Sequence, residues 1–232
     1  MTISADPSTF TIVIPTRHEA ETIAEMVRCC LNHSPHVLVV DSLSSDGTPE
    51  LAEAAGARVL RVPRLGKGYA IRAAIPEIQT SIVVFIDADG SHDVADIPKL
   101  VAPIQADRAD HVQASRLTGG SSELHGSFQE FWRLAGSSFI TACINWRFRV
   151  AISDSQNGFR ALRLEVLKRL NTREEITTIE QEMVIQTLKK GFRLAEIPSH
   201  EHARIFGTSK IRLSKVWLRY GYALLRDLFW QG

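Results

Sequence analysis

Short apolar runs alternate with segments of helical period along the first half of the chain. Phe10–Pro15, Val37–Asp41, Ala57–Val62 and Ser81–Asp87 are rich in Val and Ile and too short for helices, so they predict strands. Between them, Glu19–Leu31 carries Ile23, Met26, Val27 and Cys30 on one helical face. Thr48–Ala55 predicts a helix with Thr48 as N-cap and Pro49 at its first position. Gly68–Ile78 and Asp96–Gln105 predict two more helices, and Asp110–Ala114 a further strand. Apolar strands separated by helices predict a mostly parallel sheet covered on both faces.

The pattern changes after residue 115. Thr118–Gln129 is a polar loop rich in Gly and Ser, and Glu130–Val150 predicts a long helix. Gly158–Leu162 is expected as an edge strand, Ile179–Lys190 as a helix and Phe192–Pro198 as a strand. Ser199–Thr208 is expected to be a mobile loop. An amphipathic helix over about 209–230 is expected to close the chain. No repeat and no Pro-rich linker interrupts residues 1–232, so one α/β domain with an inserted substrate-side half is expected.

Composition narrows the function classes. The 232 residues hold 27 Lys and Arg against 26 Asp and Glu, so no overall field attracts nucleic acid. The late segment differs: Arg204, Lys210, Arg212, Lys215, Arg219 and Arg226 face only Glu201 and Asp227 in sequence, which predicts an anionic partner or surface. Cys29, Cys30 and Cys143 fit no zinc or redox spacing, which favours a reducing compartment. Residues 1–9 lack an apolar signal core, and no window holds 18 uninterrupted apolar residues. Action on a lipid is therefore expected from the membrane surface.

The chemistry sits at the strand ends. In an open parallel sheet, ligands bind beyond the carboxyl ends of the strands. Asp41 ends the second predicted strand, and Asp87-Ala88-Asp89 ends the fourth. In extended chain those two carboxylates point to one side, where they would share a hard divalent cation able to hold a diphosphate. Pro15-Thr16-Arg17-His18-Glu19 follows the first strand in place of a glycine-rich turn. The sequence contains neither G-x-G-x-x-G nor a P-loop, which weakens oxidoreductase and ATPase alternatives. Arg64-Leu65-Gly66-Lys67-Gly68 places a lysine before a helix, either as a phosphate contact or as a solvated loop residue. The late helix has Arg212, Lys215, Arg219 and Arg226 within an arc of about 60°, and Leu213, Val216, Trp217, Tyr220, Leu224 and Leu228 in another sector. That helix is expected either to lie on an anionic membrane, to meet a membrane-protein partner, or to pack its apolar face on the domain.

The motifs IVIPTRHEAETI, VVDSLSSDGT, RLGKGYAI, VVFIDADGSHDVADIPKL, ASRLTGG, DSQNGFRAL and EIPSHEHARIFGTSK occur in order from about Phe10 to Lys210. In order and spacing the chain resembles family 2 glycosyltransferases of the GT-A fold, most of all the dolichyl- or polyprenyl-phosphate mannosyltransferases. The resemblance implies a Rossmann-like, single-domain α/β fold and an inverting transfer from a nucleotide-diphosphate sugar, of GDP-mannose or UDP-glucose type, to a polyprenyl phosphate. It implies nucleotide contacts at Pro15, Arg17 and Glu19, base recognition at Asp41, and Mg²⁺ or Mn²⁺ on Asp87, Asp89 and Ser91. It places Arg116, Arg133 and Arg204 toward donor or acceptor phosphates, Ser137 one turn beyond Arg133, and Lys210 at the closing loop. With Lys67 these complete the expected donor and acceptor sites.

The departures are specific. Ser42 stands where the family commonly has a second acid. Charge replaces the usual aromatic or Asn around Arg17-His18, and Ser91 is shorter than the usual Gln. Gln181-Glu182-Met183-Val184-Ile185 lacks the Arg-Trp pair of hydroxyl-directed relatives. A phosphate acceptor is already anionic and needs cations rather than a base, which three arginines supply. Glu180 or Glu182 remains the base for a hydroxyl acceptor, or else faces solvent. His200 and His202 are expected in a solvated loop. A non-catalytic nucleotide-sugar-binding subunit is the alternative from another class. The expected placement is cytoplasmic, peripheral to a membrane.

Overall fold

The computed structural model describes residues 6–122, 128–202 and 213–229. Seven strands form one sheet: β1 Phe10–Thr16, β2 Val37–Ser42, β3 Arg58–Val62, β4 Ile82–Phe85, β5 His111–Ser115, β6 Arg160–Arg163 and β7 Leu194–Pro198. The order is β3-β2-β1-β4-β6-β5-β7. All neighbours run parallel except β6, which is antiparallel to both β4 and β5. The expected edge strand is therefore internal, and β3 and β7 form the edges. Gly158-Phe159-Arg160-Ala161-Leu162 is short and carries an arginine, which resembles an edge; in fact Arg160 is wholly buried.

Period-two alternation divides the strands between two apolar layers. Phe10, Ile12 and Ile14 of β1 face Ile23, Met26 and Val27 of α1 (Ile23–Leu31) and Ile97, Leu100 and Val101 of α4 (Ile97–Gln105). Val13 faces the other way, with Leu38, Val83 and Phe85, onto Ala70 and Ile71 of α3 (Lys67–Ala74). Burying one such Val, Leu or Ile side chain contributes about 1.5–3 kcal/mol, so these two layers hold the rim in place. A third cluster joins Ile140 and Ile144 of α6 (Phe128–Phe148), Val184 and Ile185 of α8 (Ile179–Lys189), and Leu224 and Leu228 of α9 (Leu213–Phe229).

Two short helices, α5 (Arg116–Gly119) and α7 (Leu164–Arg169), follow β5 and β6. The helix after β2, α2, spans Thr48–Ala54, and its N-cap is Gly47 rather than Thr48. Gly47 adopts a positive φ of 85°, a backbone state that glycine enters without steric cost. Asp46 then accepts the Thr48 amide and hydroxyl. A Gly at this turn outcompetes the Thr as cap.

Candidate active site at the carboxyl rim of the sheet

The carboxyl ends of β1, β2, β4, β5 and β7 share one edge, and the start of antiparallel β6 joins them there. The chain order reverses between β1 and β4, where open α/β sheets open a crevice. Three clusters occupy this edge.

The first links the loops after β1 and β2. Thr16 pairs in register with Asp41, and its hydroxyl lies 3.3 Å from Asp41 Oδ1. The Ser44 amide donates to Asp41 Oδ2 at 3.0 Å. His18, at a positive φ of 55°, donates its amide to Ser44 Oγ, and Glu19 donates its amide to Thr48 Oγ1. Pro15 is half-buried beside Val40, Arg17 is exposed, and Asp41 is buried. Pro15, Arg17, Glu19 and Asp41 thus line one end of the crevice on loops knitted together by backbone hydrogen bonds.

The second cluster centres on Lys67. Its ammonium lies 2.5 Å from both Asp87 Oδ1 and Glu180 Oε1, the latter 113 positions along the chain. Burial alone would lower the Lys67 pKa, but the two carboxylates hold it above the ordinary lysine value. Burial would likewise raise the Asp87 carboxyl; Lys67 and His92 hold it far below the usual carboxylate range. His92 Nε2 is 3.7 Å from Asp87 Oδ2, and its ring stacks on Phe159. A Cβ at Gly158 would stand 2.5 Å from Lys67 Nζ and 2.6 Å from Asp87 Oδ2, so only glycine allows this approach. Behind them, buried Arg160 donates to the carbonyl oxygens of Asn157 and Glu180.

The amides beside Lys67 are already used. The Gly68 amide donates to Glu175 O at 3.0 Å, and the Tyr69 amide shares that oxygen. Held between two carboxylates, Lys67 is not the solvated loop residue that the sequence also allowed. Asp87-Ala88-Asp89 is a turn, not extended chain, and its two carboxylates take different partners. Asp89 Oδ1 accepts from the Ser91 amide and hydroxyl, at 3.1 and 2.7 Å. Asp89, Ser91 and Asp87 carry hard oxygen donors close together in sequence, which fits Mg²⁺ or Mn²⁺ chemically. Among the described residues no group of three His, Cys, Asp or Glu is arranged to hold a metal.

The third cluster surrounds Arg116, the first residue of α5. Its Nε and Nη2 meet Asp154 Oδ2 and Oδ1 at 2.6 and 3.1 Å, and Nη1 lies 3.5 Å from Glu201 Oε1. Burial works against this charge, yet Asp154 and Glu201 raise its pKa above the ordinary arginine value. Glu201 also accepts from Ser121 Oγ at 2.8 Å. The His202 amide donates to Ser91 O at 2.8 Å, which brings the segment after β7 onto the Asp89–His92 turn. Residues 199–202 are thus held by backbone bonds to Ser115, Gly120 and Ser91, while the rest of the expected loop, 203–208, lies outside the described residues. His200 is half-buried, with Nε2 2.9 Å from Ser122 Oγ.

Two further expectations are corrected. Glu180 and Glu182 do not face solvent, since both are buried. Glu180 belongs to the lysine cluster, whereas Glu182 accepts the backbone amides of Arg173 and Glu174 at 2.9–3.0 Å. Ser137 is half-buried in α6. Arg133 lies in α6 but its side chain, like Arg204 and Lys210 altogether, is outside the described residues. Asp154, Gly158, His92 and Glu201 were not assigned roles from sequence; DSQNGFR holds two of them, and its Asn-Gly step was the available signal.

Residues 11–170 match the model of glycosyl transferase family 2. The protein belongs to this family. Glycosyltransferase AglJ of Haloferax volcanii is 30% identical over 204 residues, covering 87% of this chain and 66% of the relative. Low-salt glycan biosynthesis hexosyltransferase Agl6 of the same organism is 29% identical over 211 residues, covering 87% of this chain. The chain thus spans 66% and 50% of the lengths of these two relatives. A dolichyl-phosphate hexose transferase of Haloferax volcanii is 30% identical over 162 residues, 70% of this chain and 68% of that one. Among solved structures, glucosyl-3-phosphoglycerate synthase from Mycobacterium tuberculosis, in complex with Mn²⁺, UDP and phosphoglyceric acid, has a TM-score of 0.78. It is 22% identical, with 97% of this chain and 80% of that chain covered. That likeness establishes for this family 2 glycosyltransferase the GT-A Rossmann-like α/β fold.

Proposed function

We propose that this family 2 glycosyltransferase moves a hexose from a nucleotide diphosphate to a polyprenyl phosphate with inversion. The observation that carries the proposal is the fate of the two glutamates available as bases. Glu182 is buried against two backbone amides, and Glu180 is paired with an ammonium at 2.5 Å. A hydroxyl acceptor needs a base to take its proton; a phosphate acceptor does not. The name of the dolichyl-phosphate hexose transferase relative supports the same acceptor class and a hexosyl donor.

An acceptor phosphate oxygen forms the new bond to the anomeric carbon while the bond from that carbon to the diphosphate breaks. The electron pair leaves with the nucleoside diphosphate. Pro15, Arg17, Glu19 and Asp41 hold the nucleoside end, with Asp41 at the base. Lys67 offers its cation beside Asp87 at the diphosphate end, and Lys210 is proposed to close over it. Asp89, Ser91 and Asp87 would hold Mg²⁺ or Mn²⁺, which offsets charge on the departing diphosphate when bound. Arg133, Arg204 and Ser137 are proposed as acceptor contacts. Arg116, engaged by Asp154 and Glu201, holds the 199–202 segment at the site and presents its remaining edge to the acceptor anion. Among the described residues no helix is long and apolar enough to cross a membrane, and a peripheral placement is proposed.

Labelled GDP-mannose and UDP-glucose, each offered with polyprenyl phosphate and separately with sugars or phosphoglycerate, test the proposal by product chromatography. Label entering the lipid fraction alone supports it. Label entering only soluble acceptors rejects the lipid acceptor, and nucleotide binding without turnover would make the chain a binding subunit.

A further inference from the structure

The outer faces of α6 and α9 carry an apolar surface that the third core cluster does not use. In α9, Ala223, Leu224, Asp227 and Leu228 are buried. Leu218, Tyr222, Leu225 and Phe229 recur at intervals of four, three and four residues, which puts them on the opposite side within an arc of about 60°. All four are 59–66% exposed. In α6, Ile140 and Ile144 enter the core, while Phe139 and Trp146, seven residues apart, are 67% and 76% exposed. The two helices pack beside each other through Ile140, Ile144, Leu224 and Leu228. Among the described residues these six are most of the exposed large apolar side chains.

This stripe is not the apolar sector expected from sequence, since Leu224 and Leu228 of that sector pack inward. The expected basic face is also partly internal. Arg226 pairs with Glu174, Glu182 and Asp227, and Arg219 with Glu174. Among the described residues, the exposed cations on these two helices and at the end of the helix packed against them are Arg147 and Arg149 at the end of α6, the exposed side of Arg219 in α9, and Lys190 after α8. Between residues 134 and 150 the sequence has no acid, and between 218 and 229 the one acid, Asp227, is buried.

We propose that this α6–α9 face is the membrane-contact surface, seated on a bilayer rich in anionic lipid. Aromatic side chains with a polar edge, such as Trp146 and Tyr222, suit the headgroup level, and Arg147, Arg149, Arg219 and Lys190 suit anionic headgroups. A second copy of the chain fits less well, because a two-fold contact would set these cations against their copies. The inference rests on the lipid-phosphate acceptor proposed above, which must be reached at a membrane surface. Glu174 ties the surface to the site: its side chain holds Arg219 and Arg226, while its backbone neighbour Glu175 caps the turn that carries Lys67.

Full-length protein is sedimented with vesicles of phosphatidylcholine alone and with vesicles containing about 30% phosphatidylglycerol, neither holding polyprenyl phosphate. Binding is expected to the anionic vesicles, roughly tenfold weaker to the neutral ones, and weakened by salt. The double variant Trp146→Ser/Leu225→Ser is expected to lose binding at least about tenfold, while Leu51→Ser, an exposed apolar position elsewhere, leaves it unchanged. Tyr222→Ser serves as the second variant, and unchanged melting temperatures certify the fold of each. Failure of the wild type to bind either vesicle, or undiminished binding by the double variant, overturns the proposal. So does a soluble dimer that the double variant dissociates. Because the vesicles lack acceptor, a failure of the lipid acceptor appears in the product assay and leaves the vesicle result standing.

Discussion

The two ends of the crevice are built by different means. The nucleoside end relies on the backbone: β1 and β2 run in register, and amides of His18, Glu19 and Ser44 reach side chains across the two loops. The proposed transfer end relies on buried side-chain charge: Lys67 between Asp87 and Glu180, and Arg116 between Asp154 and Glu201, pairs that reach up to 113 positions along the chain. Amide donors tolerate substitution of their own side chains, though not of the acceptors Asp41, Ser44 and Thr48. Sites built from compensated charges do not, because removing one partner leaves the other buried without its counter-charge.

The largest break is expected at Asp89. Asp89→Ala is predicted to lower turnover by about 10⁴-fold, a loss near 5 kcal/mol of transition-state stabilisation, with melting temperature nearly unchanged. EDTA is predicted to reproduce the loss in the wild type, and Mg²⁺ or Mn²⁺ to restore it. Wild-type rates in the variant would place the cation elsewhere. Next comes Arg116→Ala, which strands buried Asp154 and is predicted to cost about 3–5 kcal/mol in urea unfolding. A cost below about 1 kcal/mol would mean that the pair is not a structural element.

Gly158→Ala sharpens the comparison at smaller scale. The new methyl would press on Lys67 Nζ and Asp87 Oδ2, both ends of flexible side chains. Turnover is predicted to fall roughly 10- to 100-fold through misplacement, with little change in stability. The smallest effect concerns His111, fully buried at the start of β5, with Nδ1 2.9 Å from Thr187 Oγ1. Burial, with Arg160 nearby, holds its pKa well below 6.5. The unfolded chain then binds a proton that the folded one refuses. Stability is full above pH 6.5 and falls as the pH drops below it, by up to about 1.4 kcal/mol per unit. Urea midpoints between pH 7 and 5 measure the slope, and His111→Leu is predicted to flatten it.

The same contrast governs how much was legible in sequence. Asp41, Asp87 and Asp89 follow Val- and Ile-rich runs, so strand period and the strand-end rule located them before any coordinates. The parallel order of β1 to β4 and the two helical layers were legible for the same reason. The antiparallel insertion of β6 was not, because Arg160 reads as an edge residue until buried carbonyl oxygens are seen to accept from it. Glu180 and Glu182 sit one residue apart and look alike on a helix. Only the placement of Lys67 and of the Arg173–Glu174 amides separates their roles, and both are long-range facts. On α9, wheel geometry finds apolar stripes but not which of them the core covers.

The central claim is that a nucleotide diphosphate lies along this rim, its base against Asp41 and its phosphates between Lys67 and Asp89. Crystals soaked with UDP or GDP and Mn²⁺ test it most directly. The account predicts nucleotide density in the crevice between β1 and β4, with anomalous scattering from manganese within bonding distance of Asp89. Nucleotide bound elsewhere, with Asp41 and Asp89 untouched, would contradict it.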